Sequence, residues 1–505
     1  MKKITRILSG LLAASLLAGS LAACSVATDD PADTKGPDQT SETEEETGLH
    51  DNLPNDLNYG GDTVTIISRY KEGWTSGEIA VEGLKGEPVN DVVFERNKAV
   101  EERLGIKINS IEDDDPGEHT VVNRVALAVK GGTKDFDIMA AACYATLPET
   151  LNGTFINLRS DDCDYLDLDQ IWWTQGLNEA VEYQGAQYAI LGSMVLSMYR
   201  FGFITVFNKD RFTDASQPYL YEHVQNGSWT LDTQAQLIPL FYRDNGDSVR
   251  DMTDTYGFVS STYTNIDAYW SACQLDIVKK DADGELVMVL DMDRLHGAAD
   301  KIIHLFHNTD GGTFNIPGAG DDELWSNIRQ MFSDGKAAMA SFRFLELENA
   351  VMRNMDEEYG VVPMPKYDQS QDDYYTLLHD QFTVLAIPAT VVGDRLTQMS
   401  AVLEAMSSTS YKTVRPVYYE ENLRTKIAQD PTAAEMMDII TENVYIDAGI
   451  LYISFLGSYH HGLRDVVNSG NNNTASLFKS KNKTCEKYLK NLCIKLERLR
   501  DRQGD

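Results

Sequence analysis

The sequence predicts an α/β protein built on a parallel sheet, and three observations predict it. Short apolar runs rich in β-branched residues recur at "DTVTIISRY", "IKI" and "FDIMAAACY", and segments with apolar residues at helical spacing lie between them. The runs are also close to continuously apolar rather than alternating. A strand covered by helices on both faces carries that pattern, and parallel sheets are covered in this way.

Each element follows in order. The first run puts Val64, Ile66 and Ile67 in a buried strand. Val89, Val92, Val93, Val100 and Leu104 then fall near helical spacing, with Asn90 as the expected N-cap and Gly105 as the left-handed stop. "IKI" is a second strand, "VVNRVALAVK" a helix ended by Gly131-Gly132, and "FDIMAAACY" a third strand. Farther on, "AILGSMVLSMYRFGFITVFNKDRF" is apolar and β-branched with a polar end. In "LYEHVQNGSWTLDTQAQLI" either Thr230 or Asp232 caps a helix that Trp229 introduces, which makes Trp229 a structural residue. "QDDYYTLLHDQFTVLAIP" holds a further strand, "FTVLAI". The basic stretch "KSKNKTCEKYLKNLCIKLERLRD" reads as an amphipathic helix whose apolar face, Leu489, Leu492, Ile494 and Leu499, packs on its own domain.

The N-terminal region has a separate logic. Lys2, Lys3 and Arg6 precede a short apolar stretch, Ile7 to Ala18, that closes on Leu21-Ala22-Ala23-Cys24. A permanent membrane helix needs about 20 apolar residues, so this stretch reads as a signal peptide. Its end resembles a bacterial lipoprotein lipobox, which implies removal of residues 1–23 and lipidation of Cys24. Two or more acyl chains, at about 0.8 kcal/mol per buried CH2, hold a protein on a membrane. Residues 24–58 are acidic and turn-rich with hardly an aliphatic side chain, the composition of a disordered tether.

Composition narrows the function. The chain has 505 residues, enough for two or three domains or one two-lobed body. A net charge of −34 argues against nucleic acid, whose phosphates demand clustered Lys and Arg. With Cys24 lipidated, Cys143, Cys163, Cys273, Cys485 and Cys493 remain, and the absence of any C-x-x-C pair predicts buried free thiols. No H-E-x-x-H, G-x-S-x-G or P-loop occurs. "DNGDSVRDMTDTYGF" suggests a calcium loop, but its ligand register fails when counted from Asp244. "DKIIHLFH" places Asp300, His304 and His307 on one helix face without a third firm ligand or a general base, so a solvated face is expected. Neither a metal nor a cofactor is therefore expected. In sheets of the predicted kind ligands bind beyond the carboxyl ends of the strands, which selects Arg69, Tyr70, Trp74 and Tyr144.

Three further segments carry a resemblance. "FNKDRF", "WTLDTQAQL" and "MFSDGKAAMASFRF" followed by "YGVVPMPKYD" lie in that order over roughly Asn208 to Asp368. Together they resemble the extracellular solute-binding lipoproteins of ABC importers, in the carbohydrate-binding family that includes maltose-binding protein. The resemblance implies a type II periplasmic-binding-protein fold, with residues 59–200 and 376–450 in one lobe and 201–375 and 451–505 in the second lobe and its C-terminal helices. It implies hinge closure of those lobes on a ligand. It also implies ligand contacts at Arg343 and Phe344, after the "AAM" strand, and at Tyr263, Tyr269 and Trp270 in "TYTNIDAYWSACQ". The flank of "FTVLAI", with Tyr374, Tyr375, His379 and Gln381, is expected at the cleft. Sugar sites combine flat aromatic faces with polar groups, a chemistry that Trp270 and Arg343 suit.

Where maltose-binding protein has a glycine-proline-tryptophan turn this chain has Phe342-Arg343-Phe344, and a guanidinium there equally meets a carboxylate or a phosphate. The implied function is capture of a carbohydrate, an oligosaccharide, by a monomer anchored at the outer face of the bacterial cytoplasmic membrane, and its delivery to ABC permease subunits without enzymatic chemistry. Three alternatives stay open: a tethered glycan hydrolase with Glu346 and Glu348 as its carboxylates, a solute-binding sensor adaptor, and a binder of peptide or anionic solute.

Overall fold

Two main sheets organise the chain. The computed structural model describes residues 50–114, 117, 119–316, 321–424 and 431–503; the signal segment, Cys24 and nearly all of the tether lie outside them. The first sheet contains β1 (Asp62–Tyr70), β2 (Ile106–Asp114) and β3 (Ile138–Ala142). The second draws on β4 (Phe203–Asn208) and β5 (Tyr256–Ser260), while β6 (Val278–Lys280) and β7 (Leu286–Met288) form a separate hairpin. β8 (Thr313–Asn315), β9 (Ala337–Arg343) and β10 (Tyr359–Pro363) complete the second sheet, and β11 (Thr383–Ala386) joins the first. Strand order is β11-β3-β1-β2 in the first sheet and β10-β4-β9-β5-β8 in the second.

Neither sheet is wholly parallel, which corrects the sequence-based expectation. β1 runs parallel to β2 and β3, and β5 runs parallel to β8 and β9. β11 is antiparallel to β3, with Thr383 opposite Ala142, and β4 is antiparallel to both β9 and β10. The reason is connectivity. A parallel neighbour needs a crossover long enough to return the chain to the same end of the sheet. β4 and β11 each enter straight from a segment arriving from the other sheet.

The apolar runs of β1 and β3 are continuous because both faces are covered. Val64, Ile66, Ile138 and Ala140 share one core with Val93, Val100 and Leu104 of α1 (Pro88–Leu104). Ile67, Met139 and Ala141 share another with Val121, Val122 and Val125 of α2 (Thr120–Gly131). β2, at the sheet edge, has a buried Ile106 beside an exposed Lys107. Gly105 and Gly132 end the helices in the left-handed region at φ 60° and 70°. Asn90 is not the cap of α1: Pro88 starts the helix, and the Asn90 amide donates to the Gly83 carbonyl at 2.8 Å. Thr230 does cap its helix, Leu231–Phe241, by accepting from the Thr233 amide. Trp229 is fully buried, its indole N–H donating to the Pro363 carbonyl at 2.9 Å.

The long helix Asp394–Arg424 packs along α1. It carries Glu404, whose two carboxyl oxygens accept from the indoles of Trp172 and Trp173 at 3.0 Å each. The helix Thr474–Gln503 packs on the hairpin and the helix Met292–His307 and buries Leu489 and Leu492, while its Leu499 joins the core of Ile67, Met139 and Val121. All five described cysteines are free and buried. Among the described residues no helix is long and apolar enough to cross a membrane. Residues 50–505 form one compact unit that contains every core described above.

Candidate functional site

The ends of β1 and β9 meet the segment leading into β11, and cations converge there. Arg69, in β1, is buried and donates from Nη2 to the Gln381 carbonyl. Lys71 donates to the Gln381 side chain at 3.2 Å and sits 3.7 Å above the Trp74 ring. Arg343, at the end of β9, lies between two indoles, 4.5 Å from Trp74 and 4.4 Å from Trp325. It makes a buried ion pair with Glu346 at 2.6 Å, and Arg329 takes the other oxygen of the same carboxylate. His379 stands edge-on to Trp74 at 5.9 Å and donates its amide to the Phe201 carbonyl. Burial, followed by the charges of Arg343, Arg464, Lys71 and Arg69, holds the His379 imidazole well below its ordinary pKa, so it is neutral at physiological pH.

A second arm reaches this region from the C-terminal part of the chain. Arg464 pairs with Asp267 through two hydrogen bonds and covers the Tyr263 ring at 4.7 Å. His460 lies 3.8 Å from the same Asp267. Burial, then Arg464 and Lys481, hold its imidazole down to about 3.

Beside the cation cluster opens a groove of about 1130 Å³. Tyr70, Glu72 and Glu112 line it from the first sheet, and Glu348 and Arg353 line it from the segment after β9. Arg200 and Tyr418 close its floor: Arg200 pairs with Glu348 at 2.9 Å, and the Tyr418 hydroxyl donates to Glu348 at 2.7 Å. Polar side chains with occasional tyrosine rings are the lining that a hydroxylated ligand uses.

The structure therefore brings Arg69, Trp74, Arg343 and Gln381 together. Tyr70 reaches the groove, Tyr263 lies under Arg464, and Tyr144 lines a small cavity with Asp380. Three expected contacts are corrected. Tyr269 is fully buried against Phe306. Trp270 is buried against Phe478 and donates to the His460 carbonyl at 3.1 Å, because the C-terminal helices cover this segment. Phe344 is fully buried, its ring packed behind Tyr418 and out of reach of a ligand in the groove. Tyr374 also belongs to the core, with its hydroxyl against the Trp229 amide.

Lys71, Arg329, Asp267 and Arg464 were missed by sequence reasoning. Lys71 had a usable signal, since it directly follows β1. The others have none, because their positions depend on long-range packing.

The sequence matches no protein-family model and no curated protein. Solved structures do match. A solute-binding protein of an ABC transporter from Thermotoga lettingae, bound with α-D-tagatose, is 17% identical, with a TM-score of 0.52 over 85% of this chain and 100% of its own. UgpB from Mycobacterium tuberculosis, in complex with glycerophosphocholine, is 15% identical, with a TM-score of 0.53 over 86% of this chain and 99% of its own. The GacH receptor of Streptomyces glaucescens, described with acarbose, is 14% identical, with a TM-score of 0.51 over 85% of this chain and 99% of its own. The fold is that of ABC transporter solute-binding proteins. In this two-lobed type II architecture the cation cluster draws residues from both sheets, Arg69 from β1 and Arg343 from β9.

The chemistry at the site is that of binding groups held in fixed pairs. Glu346 is committed to Arg343 and Arg329, and Glu348 to Arg200 and Tyr418. Asp300, His304 and His307 are all exposed, as expected of a solvated face; Asp300 accepts from Asn472, and His307 contacts the Val467 carbonyl at 2.8 Å. Among the described residues no group of His, Cys, Asp and Glu is arranged to hold a metal ion. The loop after Asp244 is closed by its own side chains, with Asn245 bonded to Asp247, Thr253 and Asp254.

Proposed function

We propose that this protein captures a carbohydrate, an oligosaccharide, between its two lobes and delivers it to ABC permease subunits. The observation that carries this reading is the groove of about 1130 Å³, lined by polar side chains and tyrosines from the first sheet and from the segment after β9, in a fold shared with solute-binding proteins. Its volume lies just above the usual range for ligand pockets, roughly 300–1,000 Å³, which gives room for a ligand of several sugar rings. Arg69, Tyr70, Trp74, Arg343 and Gln381 are the proposed contacts, with Tyr144 and Tyr263 at the margins.

Binding shifts an open-to-closed equilibrium, and the ligand must bind the closed form more tightly to do so. No bond is made or broken. The commitment of Glu346 and Glu348 to guanidinium partners supports capture over glycan hydrolysis. Cys24 carries the lipid, the acidic tether spaces the monomeric body from the outer face of the cytoplasmic membrane, and residues 1–23 are removed.

The test is a thermal-shift screen of residues 50–505 against mono- and oligosaccharides, amino acids and peptides. A true ligand at 100 times its Kd stabilises by about 2.7 kcal/mol. A shift with a glycan that is recovered unaltered supports the reading. A shift with peptides alone rejects the carbohydrate, and recovery of a cleaved glycan rejects capture without catalysis.

A further inference from the structure

We infer that the exposed basic face of the helix Thr474–Gln503 docks the protein on the anionic headgroups of the membrane that holds its anchor. The inference goes beyond solute capture and takes from the proposed function only the presence of a membrane beside the body. The helix holds nine Lys and Arg against three acids, a charge of +6, in a chain whose net charge is −34. The rest of the chain is therefore more acidic than the whole.

The apolar face of the helix is already occupied, because Phe478, Leu489, Leu492 and Leu496 lie in the core. Lys479, Lys483, Lys487, Lys490, Arg498 and Arg502 recur at intervals of three, four or eight residues and share the opposite side, spread over about 35 Å of helix. All six are exposed, and among the described residues none of them makes an ion pair. The three acids of the helix do not answer them. Asp501 is bonded to Arg500, Glu497 lies toward Tyr183 and Cys493, and Glu486 lies toward the buried Tyr459. One face of an acidic protein is thus left with positive charges that have no partner of opposite sign.

Four of the six are Lys, a hydrated point charge that needs no fixed geometry in its partner. A row of such charges is matched by a plane of phosphate headgroups, which draws basic clusters on amphipathic helices in this way. The same plane repels the acidic remainder of the surface. Because salt screens charges beyond about 8–10 Å, only the face turned to the membrane feels it, and the body is held in one orientation. A lipid anchor alone limits how far the body strays and leaves its orientation free.

Co-sedimentation of residues 50–505 with vesicles tests this, one set of phosphatidylcholine alone and one of equal parts phosphatidylcholine and phosphatidylglycerol. The expected result is binding to the anionic vesicles about tenfold tighter or more, and a loss of about tenfold or more when Lys483→Gln, Lys487→Gln, Lys490→Gln and Arg498→Gln are combined. As many substitutions at exposed lysines off the helix, Lys107→Gln, Lys130→Gln, Lys134→Gln and Lys412→Gln, leave the binding near that of the parent. Both variants keep the parent melting temperature, since every substituted side chain is exposed. Equal binding to the two vesicles, or a loss as large from the substitutions off the helix, overturns the inference. Absence of binding to anionic vesicles overturns it as well and leaves the basic face to an acidic protein partner. Glycan shifts in the thermal screen test the capture reading on the same protein, so either reading fails without the other.

Discussion

Two aromatic segments, each expected at the cleft, end in opposite places. The segment Arg69 to Trp74 lies where the lobes meet, with Trp74 half-buried between cations. The segment Tyr263 to Trp270 turns inward: Tyr269 and Trp270 are buried, and only Tyr263 stays half-buried near Arg464. The first expectation came from topology, since a ligand site beyond the carboxyl end of a parallel strand follows from how such sheets are built. The second came from a motif transferred across a distant resemblance, and the helix His461–Ser469 and the helix after it cover the site to which it pointed. Strand geometry transfers better than a local aromatic pattern, because the pattern says nothing about what later chain packs on top.

The largest effect that sharpens this contrast is on stability. Trp270→Ala removes a fully buried indole and its bond to the His460 carbonyl, and costs about 3–5 kcal/mol by chemical denaturation. Ligand affinity of the folded fraction is unchanged. A loss of affinity with little loss of stability would return Trp270 to the cleft.

Glu404 gives a pH-dependent counterpart away from the cleft. Burial pushes its carboxyl up to about 7, against the opposing hydrogen bonds from Trp173, Asp167 and Trp172. A raised folded pKa gives stability that is fully present below the unfolded value near 4.5 and is lost as pH rises through 7. At 1.36 kcal/mol per pKa unit, this amounts to about 3 kcal/mol between those limits. Glu404→Gln lacks that titration, so its deficit relative to the natural chain is greatest near pH 4.5 and shrinks toward pH 8. Urea midpoints across this range measure it, and a deficit independent of pH would contradict the shift.

At the cleft the expected change lies in affinity. Trp74→Ala removes the surface on which Lys71 and Arg343 rest, and weakens ligand binding about tenfold or more, at least about 1.4 kcal/mol by titration calorimetry. A Trp74→Ala protein that unfolds as readily as Trp270→Ala while binding normally would erase the distinction between the two segments. The smallest effect tests local reading alone: Thr230→Ala removes an N-cap and costs about 1 kcal/mol in thermal or chemical melts.

How much of this was legible follows from the range of the forces involved. The strands at Val64–Ile67 and Ile138–Ala142 and the stops at Gly105 and Gly132 were readable, because burial on both faces and left-handed φ leave marks in adjacent residues. The helix Asp394–Arg424 was not read: its buried face includes Ser400, Ser407, Ser408 and Ser410, which hide the apolar period. The antiparallel entry of β4 and β11 depends on chain paths between lobes, which no local pattern records. At the site, Arg69 and Trp74 were expected from a strand end and Arg343 from the resemblance, and the three lie together. Arg464 was not, since it arrives from more than a hundred residues beyond Arg343 and is held by Asp267 and the Tyr263 ring.

The central claim is that two lobes close on a carbohydrate without altering it. Small-angle X-ray scattering of residues 50–505, with and without a saturating glycan taken from the thermal screen, tests it most directly when the glycan is recovered and analysed afterwards. A fall in radius of gyration with an intact glycan is the predicted result. An unchanged radius at saturation, or a glycan recovered in pieces, would contradict the account.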